Sequence, residues 1–124
     1  MQPERTLRAL VVVVAVMGFL AVVLGALGAH ALALDGPARA RFDAALLFHF
    51  VHVLAALMVA SGTARAVLPA LVTVVAFLAG IALFCGALYA RALGAPPAVA
   101  TLAPIGGAAF LVGWLALAVT VWRR

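Results

Sequence analysis

The chain has 124 residues, of which 69% are hydrophobic and 9% charged, far below the roughly 25% charged content of a water-soluble domain. Its net charge of +5 comes from scattered arginines with no lysine, and no basic stripe follows a phosphate backbone, which excludes nucleic acid as the partner. The single cysteine, Cys85, excludes an intramolecular disulfide, a CxxC redox pair and a four-thiolate metal site.

Charge-free runs extend from Ala9 to Leu34, Ala44 to Ala64, Ala66 to Ala90 and Ala92 to Trp122. A bilayer core about 30 Å thick needs roughly 20 apolar residues of helix, so four crossings follow. The first helix is expected near 7–29, ending in the glycine-rich GALGAH. An alternative reads this start as a secretory leader, with Ala31, Leu32 and Ala33 resembling a cleavage site, but its apolar run exceeds the usual core of about 7 to 15 residues. The second helix is expected over 36–61, with Asp35 as N-cap and Pro37 in the first turn. The third is expected over 66–91. Pro96, Pro97 and Pro104 break the last long run, leaving a loop from Ala92 to about Ala103 and a fourth helix over 103–122. The expected fold is all-α, one transmembrane domain over 1–124 with four helices running up-down-up-down.

An even number of crossings puts Arg5, Arg8, Arg65, Arg123 and Arg124 on one side and Arg39, Arg41 and Arg91 on the other. The positive-inside rule then places both termini in the cytoplasm. Trp122 and Tyr89 fall where aromatic belts are expected. Small residues four apart allow helix backbones to approach in lipid; Ala21-Gly25-Ala29, Ala82-Gly86-Ala90 and Ala109-Gly113 form such ladders. They serve packing within the chain, or within a homo-oligomer or larger membrane complex.

Polar side chains gather in the outer half of the spans: His30 ends the first helix, His49 and His52 share a face of the second at i, i+3, and Cys85 and Tyr89 share a face of the third at i, i+4. Polar groups at membrane depth are costly and face the bundle interior or a cavity, so an outward-opening polar pocket is expected. Three uses compete for it: a structural hydrogen-bond network, a metal or haem site, and a proton or small-ligand pathway. No HExxH or CxxC frame accompanies the histidines, and Asp35 and Asp43 belong to the interface, which counts against a proton-driven transporter. His52, near the midplane, needs a partner, expected around His30 and Tyr89. For Cys85 a small buried hydrophobe is the simplest role.

The segments GALGAHAL (Gly25 to Leu32), FHFVHVLAAL (Phe48 to Leu57), LFCGALY (Leu83 to Tyr89) and APIGGAAFLVGW (Ala103 to Trp114), in this order and spacing, resemble the small integral-membrane family called domain of unknown function 423. That family has a bacterial inner-membrane branch and a eukaryotic transmembrane branch. Gly25, Gly28, His30, His52, Phe84, Gly86, Tyr89, Pro104, Gly106, Gly107, Gly113 and Trp114 match its pattern. The chain departs at Phe48 and His49, where the family usually shows Tyr and Gln, at Cys85 and Ala87, where it tends to show Ser, and at Ala103, usually Thr. The resemblance implies a four-helix inner-membrane protein with no established activity. His30, His52 and Tyr89, with His49 beside them, form the candidate ligand pocket; no catalytic residue, metal ligand set or cofactor is expected. The favoured function is a structural or accessory membrane component. The alternatives are a ligand-binding protein holding a metal, haem or small molecule, and a minimal oligomeric transporter.

Overall fold

The structure is a computed structural model that describes residues 2–62 and 67–123. Arg65, Arg124 and the expected first residue of the third helix, Ala66, lie outside them. The described residues contain no strand and four helices long and apolar enough to span a bilayer. These are α1 (Pro3–His30), α2 (Gly36–Ser61), α3 (Val67–Ala92) and α4 (Leu102–Trp122), the last entered through a 3-10 turn at Pro97–Thr101.

α1 begins at Pro3, a turn earlier than its apolar run suggests, because proline is well suited to the first helical turn and lacks only a hydrogen that has no partner there. Asp35 occupies the N-cap of α2 with extended backbone, yet its side chain caps nothing; its carbonyl accepts the Arg39 N–H at 3.2 Å. The turn into α2 depends on Gly36, whose φ of 47° is a left-handed conformation that a side chain would strain.

Gly28 on α1 lies under the ring of Phe42 near the start of α2, and Phe42 meets Tyr89 near the end of α3 edge to face at 5.2 Å. Along α3 and α4 the contacts run in opposite sequence order: Phe77 over Gly113, Gly80 under Phe110, and Phe84 against Gly106. A Cβ at Gly80, Gly106 or Gly113 would stand 2.3, 2.3 and 2.5 Å from the facing group, so each glycine makes room for a phenylalanine. The expected ladder centres behave differently. At Gly25 and Gly86 a Cβ would meet its nearest neighbour at 4.0 Å, ordinary contact, whereas Gly113 of the expected Ala109-Gly113 ladder is a close approach, because such approaches fall on glycines that face a phenylalanine.

α1 buries only Leu7, Val14, Ala21 and Gly28, one narrow row at heptad spacing. α2 packs on α1 and α3, and α3 packs on α4, whereas the backbones of α2 and α4 scarcely approach and are bridged by side chains. α3 is interrupted by a π-helical turn at Ile81–Cys85; before it Thr73, Val74, Phe77 and Gly80 face the core, and after it Tyr89 and Ala92 do. Thr73 and Thr120, both fully buried, donate their hydroxyls to the carbonyls of Pro69 and Ala116, which satisfies them within their own helices.

Candidate functional site

His52 and His49, one helical turn apart on α2, are both 3% exposed, and they serve different partners. Trp114 on α4 donates its indole N–H to His52 Nε2 at 3.1 Å. An indole nitrogen can only donate, so Nε2 is the acceptor and the ring proton sits on Nδ1. From there it is donated to the Phe48 carbonyl, 2.6 Å away. His52 is thus a neutral imidazole with both nitrogens engaged. Its ring stacks on Phe110 with centroids 3.6 Å apart and takes the edge of Phe77 at 5.1 Å. The expected partners, His30 and Tyr89, are not the ones it uses. The reason is helical phase: His52 faces α4, where the indole is the nearest polar donor.

Tyr89 instead pairs with His49, its hydroxyl 3.0 Å from Nδ1. The direction follows the tautomer: with the ring proton on Nε2 the phenol donates to Nδ1, and with it on Nδ1 the ring donates to the phenol oxygen. His49 Nε2 makes no hydrogen bond of normal distance and angle, although the Met17 backbone on α1 faces the ring. Cys85 is fully buried one turn before Tyr89. His30, in the last turn of α1, is exposed and is not brought together with the others. The single outward polar pocket therefore resolves into two separate interior pairs and one exposed histidine. Among the described residues no three His, Cys, Asp or Glu side chains converge as a metal ligand set would.

The open space near these pairs is apolar. A groove of about 380 Å³ runs between α2 and α4, lined by Leu47, Val51, His52, Phe110, Leu111 and Trp114. It exists because the two backbones stay apart and rings span the gap. At the His30 end, Arg39 donates to the Gly28 carbonyl at 2.8 Å and lies 3.6 Å from the Asp43 carboxylate. Arg91 closes the turn after α3 by donating to the Ala95 carbonyl at 2.6 Å. A cation on the carbonyl end of a helix is favourably placed.

Sequence reasoning gave Trp114 and Phe110 no role. A tryptophan inside an apolar helix was the available signal, since its N–H needs an acceptor wherever water is absent.

The family model described as "Protein of unknown function (DUF423)" matches residues 24–107. The chain belongs to the DUF423 family. The match takes in His30, His49, His52 and Tyr89 and stops short of Trp114. A UPF0382 membrane protein of Haemophilus influenzae is 40% identical over 107 residues, covering 85% of this chain and 86% of its own length. The UPF0382 inner membrane protein YgdD of Escherichia coli K12 is 34% identical over 121 residues, covering 95% of this chain and 92% of its own. No solved structure matches the chain. With its four candidate spans and inner-membrane relatives, this DUF423 chain is a multi-pass membrane protein.

Proposed function

We propose that the protein is a structural or accessory component of the inner membrane, a single four-helix domain that crosses up-down-up-down with both termini cytoplasmic and performs no catalysis. The observation that carries this reading is the Phe48–His52–Trp114 chain, in which both imidazole nitrogens are taken, Nδ1 by the Phe48 carbonyl within α2 and Nε2 by the indole that joins α2 to α4. A histidine committed in this way is a packing device. To ligate a metal or haem iron through Nε2 it would first have to give up the indole hydrogen. Replacing His52 by leucine and measuring stability and absorbance on one purified preparation tests the reading. A lower melting temperature with no change in any bound chromophore is expected, and loss of a bound chromophore from a protein that melts like the parent would overturn it.

The groove between α2 and α4 favours one second reading, in which a lipid-soluble small molecule lies along Leu47, Val51 and Leu111. Native mass spectrometry of the detergent-purified chain tests it. A retained apolar molecule that is lost from Leu111→Trp would support this use.

A further inference from the structure

A second cleft lies at the Arg8 end of the bundle, away from the histidines. It holds about 280 Å³ where the start of α1, the end of α2 and the start of α3 meet, and is lined by Glu4, Leu7, Arg8, Val11, Ser61 and Val67. Its depth in the membrane follows from the sequence: Glu4 and Arg8 are charged, and the charge-free run begins at the next residue, Ala9. The cleft mouth thus sits at headgroup level and its floor, with Leu7 buried, at the start of the acyl region.

Glu4 and Arg8 are one helical turn apart on the same face of α1, a spacing at which opposite charges commonly pair. Here they do not. Among the described residues the ion pair within 4.0 Å is Arg39 with Asp43, and neither Glu4 nor Arg8 joins another side chain. The cleft therefore presents a free anion and a free cation side by side. Ser61 adds a directional constraint. Its hydroxyl hydrogen is committed to the Leu57 and Met58 carbonyls, at 2.9 and 3.1 Å, so towards the cleft its oxygen can only accept. An occupant that satisfies all three groups carries a phosphate-like anion for Arg8, and nearby a cation with N–H donors for the Glu4 carboxylate and the Ser61 oxygen. A quaternary ammonium has the charge without the donors, and a glycerol headgroup has hydroxyl donors without the positive charge.

We propose that this cleft binds the headgroup of an ethanolamine phospholipid, with its phosphate on Arg8, its primary ammonium on Glu4 and Ser61, and its acyl chains descending past Leu7 and Val11. The fit is one of charge complementarity between an unpaired Glu–Arg couple and a zwitterion of matching order.

The test uses the full chain in detergent micelles, exchanged free of native lipid and titrated with phosphatidylethanolamine, phosphatidylcholine or phosphatidylglycerol of identical chains. Bound lipid is read by native mass spectrometry on folded protein. Phosphatidylethanolamine should bind about tenfold more tightly than phosphatidylcholine, the expected worth of a charge-assisted hydrogen bond. Glu4→Gln should remove that preference while leaving weak binding of all three lipids, and Arg8→Gln should weaken all three. Leu54→Ala, on an exposed face of α2, should change nothing. Equal binding of the three lipids, a preference for phosphatidylglycerol, or an ethanolamine preference that survives Glu4→Gln would overturn the proposal. Competition by water-soluble glycerophosphoethanolamine at the same concentration as the lipid would point to a free headgroup and overturn the lipid assignment. Should Glu4→Gln fold poorly, Glu4→Asp keeps the carboxylate and must retain the ethanolamine preference.

Discussion

Gly106 on α4 rests on the backbone of Phe84 in α3, so close that a Cβ would stand 2.3 Å from the Phe84 amide nitrogen. A ring can swing aside, but a backbone nitrogen inside a helix cannot. Gly106→Ala should therefore lower stability by about 1–3 kcal/mol. Gly107→Ala, next along the chain, would meet Phe84 Cδ2 at 3.9 Å and should fall within about 0.5 kcal/mol of the parent. Reversible unfolding in mixed micelles would measure both, and similar losses for the two variants would contradict this geometry.

The bond between Trp114 and His52 lends itself to a double-mutant cycle. Trp114→Phe keeps most of the ring and removes the donor, leaving Nε2 bare at a buried position. Each single change should cost about 1–2 kcal/mol, and the cycle with His52→Leu should give a coupling of about 0.5–1.5 kcal/mol, in the range found for hydrogen bonds between membrane helices. Strict additivity would show that the two side chains do not act together.

Tyr89 and His49 form the second internal pair, 3.0 Å apart, and its chemistry asks for a polar group at 49 more than for an imidazole. His49→Gln should reach the same hydroxyl and remain within about 0.5 kcal/mol of the parent, whereas His49→Leu strands the phenol and should cost about 1–3 kcal/mol. Thermal melts of the two variants side by side decide the matter.

Topology gives a further test. A reporter fused to the C-terminal end should behave as cytoplasmic, and one inserted between Leu93 and Ala98, in the turn after α3, as periplasmic. The opposite pattern would invert the proposed orientation and move the Glu4–Arg8 cleft to the other leaflet.

The spans were legible because hydropathy, charge and proline are read one residue at a time. Gly36 to Ser61 could be bounded from Asp35, Pro37 and the next charge-free run alone. Helix pairing was not. Whether Gly25 or Gly28 touches a neighbour depends on which ring lies opposite, and Phe42 is set there by the whole packing of α1 on α2. His49 and His52 lie inside the bundle as expected and His30 does not, and the spacing of the buried pair on α2 could not reveal that one turn of helix separates a tyrosine partner on α3 from a tryptophan partner on α4.

The π-helical turn at Ile81–Cys85 holds one residue more than an α-helical turn would. Each residue of an α-helix advances the side-chain direction by about 100°, but the wide turn absorbs its extra residue within one revolution, so the residues beyond it keep the facing that an uninterrupted helix one residue shorter would give them. Losing one residue from this turn would restore a regular α-helical turn and leave Tyr89 on His49. Losing one from the α-helical stretch Val67–Gly80 would instead swing Tyr89 away by about that angle, with hardly any change in the hydropathy of the span. The same single-codon deletion would thus be absorbed at one turn of α3 and would leave an intact membrane helix with the wrong interior a turn or two earlier.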